Sequence, residues 1–197
     1  MPTDMDAEQM DALLAVAAAI ERLDVPFFVA GSFASNAYGF YRATADADVI
    51  ADLKVRHIEP LVESLSGRFY IAAEAVRQAV MNRSSFNVIE FNTSMKVDVF
   101  AMKWALFSLE EMQRRLRRSL TPDGSHETWL ATPEDTILSK LDWYRLGGGV
   151  SDRQWNDVLG VMKVQAENLD LAYLRRWADE LRLRDLLDRA MADSGLV

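Results

Sequence analysis

Asp46 and Asp48 stand two residues apart at the head of an apolar run, and Asp98 stands between Val97 and Val99 in another. Side chains on a strand alternate with period two, so Asp46 and Asp48 share a face, and a neighbouring strand can present Asp98 beside them. Carboxylates held that close repel one another and require a cation. An oxygen-only donor set without His or Cys suits Mg2+ or Mn2+, hard ions that keep water and take further ligands from substrate phosphates. An Asp-x-Asp alone also fits a surface turn. An Asp inside an apolar strand is costly unless compensated, and this marks Asp98 out.

Gly31 and Ser32 follow the apolar run Phe27 to Ala30 and open a short helical stretch. Backbone N–H groups and the helix dipole at such a junction favour an anion. The glycine lets a phosphate come close, and the serine adds a hydroxyl that also caps the helix, although a plain turn would use the same pair. Arg42, four residues before the acidic pair, carries a guanidinium suited to phosphate oxygens or to a surface position. Lys140 lies at the edge of an apolar arc formed by Ile137, Leu138, Leu141 and Tyr144, where it either reaches toward the sheet or snorkels past the core. Asp157 reads as a group that orients that lysine, as one that activates a substrate, or as a surface acid on a helix. His57 and His126 have no partner at ligand spacing and read as structural.

The elements that must position these groups are legible from periodicity. Residues 5–23 give an amphipathic helix before Pro26, Phe27–Ala30 a buried strand, and Ser32–Tyr38 a helix. Asp48–Ala51 gives a strand and His57–Leu65 a helix. Phe69–Ala72, Phe86–Phe91 and Lys96–Phe100 follow as strands, the last two joined by the polar turn Asn92-Thr93-Ser94. In the second half Ser108 with Glu111, Thr132 with Asp135 (Pro133 between them) and Ser151 with Gln154 match capping boxes. Gly147-Gly148-Gly149 stops a helix, and residues 169–192 are helical in pattern. Arg114, Arg115, Arg117 and Arg118 read as the solvated face of a helix or as a substrate-docking patch. The expected architecture is α+β of α/β type, with a mixed sheet in residues 1–102 and a mostly helical region, 103–197, packed on it.

The order of an apolar strand, Gly-Ser, a short helix, Thr-x-Asp-x-Asp and a later in-strand Asp stands here as Phe28-Val29-Ala30-Gly31-Ser32, Thr44-Ala45-Asp46-Ala47-Asp48 and Lys96-Val97-Asp98-Val99-Phe100. It resembles the signature of the DNA polymerase β-like nucleotidyltransferase superfamily, and within it the bacterial nucleotidyltransferases related to abortive-infection toxins. Residues Thr132 to Leu141 resemble a segment of those toxin-related proteins whose lysine lies near the nucleotide phosphates. Gln154-Trp155-Asn156-Asp157 resembles their later aspartate-bearing helix.

The resemblance implies a nucleotidyltransferase fold in which Asp46 and Asp48 bind two ions of Mg2+ or Mn2+, with Asp98 joining them on one, and in which Gly31, Ser32, Arg42 and Lys140 hold a nucleoside triphosphate such as ATP. Lys140 and Asp157 join the carboxylates as catalytic residues. The implied reaction moves a nucleoside monophosphate to an acceptor hydroxyl and releases pyrophosphate. The acceptor, whether small molecule, RNA or protein, is left open, and a cognate antitoxin is a candidate partner. A rival from another class keeps the fold for nucleotide, metal or partner binding without transfer.

With no cysteine, disulfides, thiolate zinc sites and thiol nucleophiles drop out together. A net charge of −8 argues against tight non-specific nucleic-acid binding. The stretch Leu13 to Ile20 has no basic leader and is too short to span a bilayer, so the chain is expected to be soluble, cytoplasmic and without membrane contact.

Overall fold

The computed structural model describes residues 4–44, 46–121, 124 and 126–196. The chain forms two compact units, one from Met1–Ala30 and Ala43–Leu130, the other from Gly31–Arg42 and Ala131–Val197. The boundary expected at residue 102 falls inside the first unit, and residues 31–42 belong to the second. Sheet hydrogen bonds draw residues 116–130 into the first unit. The helix at 31–38 packs on two later helices.

The first unit holds a seven-stranded mixed sheet with β1 (Phe27–Val29), β2 (Asp46–Ala51), β3 (Phe69–Tyr70), β4 (Ser85–Glu90), β5 (Lys96–Ala101), β6 (Leu116–Ser119) and β7 (Glu127–Leu130). Their order is β3-β4-β5-β2-β1-β7-β6, with β2 parallel to β5, β1 parallel to β7, and the other neighbours antiparallel. The described helices, in chain order, are α1 (Asp4–Glu21), α2 (Gly31–Tyr38), α3 (Ile58–Leu65), α4 (Ala73–Asn82), α5 (Leu106–Arg114), α6 (Pro133–Leu146), α7 (Asp152–Gln165), α8 (Leu171–Glu180) and α9 (Arg184–Ser194).

Ala47, Val49 and Ala51 of β2 and Val97, Val99 and Ala101 of β5 are buried, and α1 packs on both strands. Leu13 and Ile20 of α1 are fully buried, and each stabilises the fold by about 1.5–3 kcal/mol. The alternate residues of the same strands, Asp46, Asp48, Lys96 and Asp98, keep access to solvent.

Several local expectations change. The helix expected from Ser108 begins instead at Leu106, with Ala105 at its cap, so Ser108 lies within α5. The arginine run does not form one helix face. Arg114 ends α5, Arg115 leaves the helical conformation, and Arg117 and Arg118 lie on the edge strand β6, which pairs with β7. β6 shows no clean alternation, since Leu116-Arg117-Arg118-Ser119 is mostly exposed on both faces, whereas β7 buries Thr128 and Leu130 and leaves Glu127 and Trp129 more open. The strand expected at Phe69–Ala72 stops at Tyr70, and α4 follows it unannounced. That helix ends on Arg83 in the left-handed region (φ 52°) where a glycine would have signalled the stop.

In the second unit the capping signals coincide with the helix starts. Thr132 Oγ1 accepts from the Asp135 backbone N–H (3.1 Å) ahead of Pro133, and Ser151 Oγ accepts from that of Gln154 (3.4 Å). Helices α2 and α7 meet at glycines. A methyl group on Gly39 would lie 2.9 Å from Val161 N and 3.0 Å from both Gly160 C and Ser35 O, all backbone atoms. Among the described residues no helix is long and apolar enough to cross a membrane.

Gly39→Ala must therefore push α2 away from α7. The expected loss is about 1–3 kcal/mol, read from the urea midpoint. An unchanged midpoint would show that the two helices have room to part.

Candidate functional site

The parallel register of β2 and β5 sets Asp46 opposite Lys96 and Asp48 opposite Asp98. With period two, all four side chains lie on one sheet face, and Asn87 of β4, opposite Asp98, extends that face with an exposed amide. Thr44 fixes the approach to β2: its hydroxyl donates to the Asp46 carbonyl (3.1 Å) and accepts from the Asp46 N–H (3.4 Å). Ala45, part of the same motif, lies outside the described residues.

Lys96 was given no role by the sequence reading, yet its Nζ lies 2.9 Å from Asp98 Oδ2 and 3.4 Å from Asp46 Oδ1. The hydrogen bond to Asp98, against the opposing cost of burial, holds the Lys96 ammonium above its ordinary pKa. The other oxygen of Asp98, Oδ1, is buried with no hydrogen-bond partner. Orphaning a buried carboxylate oxygen costs free energy, and a cation would relieve that cost. Among the described residues no three His, Cys, Asp or Glu side chains close into a ready group around one metal position. The donors present, all carboxylate oxygens on one face with one oxygen unpartnered, nonetheless fit a hard divalent cation.

A second cluster forms within the other unit. Asp157 on α7 accepts from Arg42 through Nε to Oδ1 (2.7 Å) and Nη2 to Oδ2 (2.8 Å), and from Lys140 Nζ on α6 (2.7 Å). Arg42 Nη2 also donates to Ser32 Oγ (2.7 Å), and Lys140 Nζ to Gln154 Oε1 (3.3 Å). Asn36 of α2 clamps the Arg42 backbone through its carbonyl (2.8 Å) and its N–H (3.2 Å). Gly31, at the head of α2, adopts φ 59°, a conformation glycine takes without steric cost. Burial alone would raise the Asp157 carboxyl, but the hydrogen bonds and charges of Arg42 and Lys140 outweigh it and hold its pKa below the ordinary value. Two cations face one carboxylate beside the Ser32 hydroxyl, a set of donors suited to an anion.

The structure thus brings Asp46, Asp48 and Asp98 onto one face, and Ser32, Arg42, Lys140 and Asp157 into one network. Lys96 and Gln154 join them without having been singled out. The period-two rule applied to Lys96 would have placed it beside Asp98. Nothing local in the sequence announces the Arg42–Asp157 pair, whose members are 115 residues apart. His57 is structural: its Nδ1 accepts from the Lys54 N–H (3.1 Å), and burial followed by the nearby Arg56 charge lowers its pKa.

No protein-family model matches the sequence, and no curated protein does. The fold has solved counterparts. The antibiotic-resistance factor ANT(2'')-Ia aligns over 95% of both chains with a TM-score of 0.51 and 15% identity. An antigenic nucleotidyltransferase-like protein from Paracoccidioides brasiliensis aligns over 94% of this chain and 93% of its own, with a TM-score of 0.56 and 15% identity. The chain has the α+β nucleotidyltransferase fold that its motifs imply.

The Asp157 network makes a pH prediction. Because its folded pKa is depressed, Asp157 contributes stability that is present above the unfolded carboxyl value of about 3.9 and is lost as pH falls through the lower folded value. Asp157→Leu, which strands buried Lys140, is expected to cost about 3–5 kcal/mol near neutral pH and to flatten the acid limb of the stability profile. Urea unfolding between pH 7 and pH 2.5 measures both, and an acid limb as steep as that of the native chain would remove Asp157 from the account.

Proposed function

We propose that this chain transfers a nucleoside monophosphate from a nucleoside triphosphate to an acceptor hydroxyl, with release of pyrophosphate. The observation that carries this reading is the register of β2 and β5, which sets Asp46, Asp48 and Asp98 on one face while Asp98 Oδ1 has no partner. Those three residues would hold Mg2+ or Mn2+. When bound, such an ion supplies Lewis-acid polarisation of a phosphoryl oxygen and favours the ionised form of a nearby hydroxyl.

In the other unit the donors of Arg42 and Lys140, with the Ser32 hydroxyl and the head of α2 at Gly31, recognise the phosphates. Asp157 fixes both cations in place, so that neither has to be ordered when the nucleotide binds. In the reaction the acceptor oxygen forms its bond to the α-phosphorus as the bond from that phosphorus to the pyrophosphate oxygen breaks. The hydroxyl proton passes to water. Arg42 and Lys140 carry the charge that builds on the departing pyrophosphate.

The motifs at residues 132–141 and 154–157 favour the toxin-related branch, and a toxic role would show as growth arrest on expression of the native chain but not of Asp98→Asn. The rival reading, nucleotide binding without transfer, draws on Lys96, whose ammonium already neutralises part of the carboxylate face.

Labelled ATP, CTP, GTP and UTP, each carrying the isotope at the α-phosphate, separate the two readings. With Mg2+ and a cell extract fractionated into small molecules, RNA and protein, the native chain is expected to transfer label into one fraction. Asp46→Asn and Asp98→Asn, which relieve repulsion and should fold, are expected to lose on the order of 100- to 1,000-fold. Folded native protein that transfers no label from any nucleotide would hand the case to the binding reading.

A further inference from the structure

Lys96 spans two of the three carboxylates, with its ammonium within 3.4 Å of both Asp46 and Asp98. Its surroundings separate a fixed backbone from a movable head. The Lys96 carbonyl accepts a hydrogen bond from Nε2 of the buried Gln9 on α1 (2.9 Å), so the strand position is tied to the core. The side chain is 36% exposed, leaving the ammonium a path into water by rotation about its own bonds. Across the sheet on β4 its neighbour is Ile89, which offers it no charge, so its attraction is toward Asp46 and Asp98.

We propose that Lys96 is an internal counter-ion that competes with the divalent cation for Asp46 and Asp98, and so sets the cation concentration at which this face fills. The proposal rests on reading the face as a cation site. One ammonium between Asp46 and Asp98 lessens their repulsion while no ion is bound, yet leaves their pair with a net negative charge that still draws a divalent ion. The orphaned Asp98 Oδ1 is the oxygen the ammonium does not satisfy. A bound divalent ion has to move the ammonium aside or share its oxygens with it, and either costs binding free energy. Lys96 therefore acts as a positioning residue: it holds Asp46 and Asp98 close together while no ion is present, and gives way when one arrives.

The two effects of removing it have opposite signs, which a purely structural lysine would not produce. Mn2+ binding, followed by the electron paramagnetic resonance signal of the free ion, is compared between the native chain and Lys96→Met, Lys96→Arg and Asp98→Asn. Thermal unfolding is recorded with and without Mn2+. Lys96→Met is expected to bind Mn2+ on the order of 10- to 1,000-fold more tightly than the native chain. It is also expected to unfold at a lower temperature without the ion and to recover most of the difference with it. Lys96→Arg, which keeps the charge, should bind as the native chain does, and Asp98→Asn should bind more weakly. Should Lys96→Met fail to fold, Lys96→Gln gives the same readout. Affinity equal to or below that of the native chain, in a folded variant that still binds, overturns the counter-ion role alone. Folded native and Lys96→Met proteins that both ignore Mn2+ overturn the cation-site reading beneath it.

Discussion

The parallel pairing of β2 with β5 in a single register is the constraint on which the chemistry of the first unit depends. A slip of one residue would send Asp46, Asp48 or Asp98 into the face now filled by Ala47, Val49, Val97 and Val99, where an uncompensated carboxylate is far more costly than an exposed one. The apolar residues thus choose the register, and the carboxylates inherit their position from it. A central strand pair also holds its backbone to a precision that a loop could not, and neighbours on both sides, β4 beyond β5 and β1 beyond β2, keep it from fraying.

The second unit solves a different problem by similar means. Lys140 and Asp157 are nearly inaccessible, and a buried charge persists only where partners replace the water it has lost. Asp157 gives its two oxygens to three donors from Arg42 and Lys140, while Ser32 and Gln154 take up further donor capacity. The close approach of α2 to α7, permitted by Gly39 and Gly160, brings the residues following α2 within reach of an acid more than a hundred positions later. Glycine at that crossing therefore shapes the charged network as directly as the charged residues do.

Periodicity was enough to read the central strands β1, β2, β4 and β5 and the capped helices α6 and α7, because each carries its signal within one run of residues. Where the signal lay elsewhere, reading failed. β6 is held by its pairing with β7, and no alternation in Leu116-Arg117-Arg118-Ser119 foretells that; the same arginines looked helical because they follow a real helix. α4 has no polar N-cap and ends on an arginine, so both of its boundary marks are missing. In the site, the carboxylates were legible because strand geometry is periodic, and Lys96 was equally legible by the same rule. The contact between Arg42 and Asp157 arises from tertiary packing alone and leaves no mark on the neighbouring sequence.

Charge is compensated differently in the two clusters, each within its own unit. On the carboxylate face Lys96 reaches Asp46 and Asp98 and leaves Asp98 Oδ1 without a partner. In the basic network Asp157 accepts from both Arg42 and Lys140, and these paired charges replace the water that burial removes. Period-two geometry puts the ammonium of Lys96 on the same face as Asp46 and Asp98, so the acids of that face have to be read together with the lysine that pairs with them.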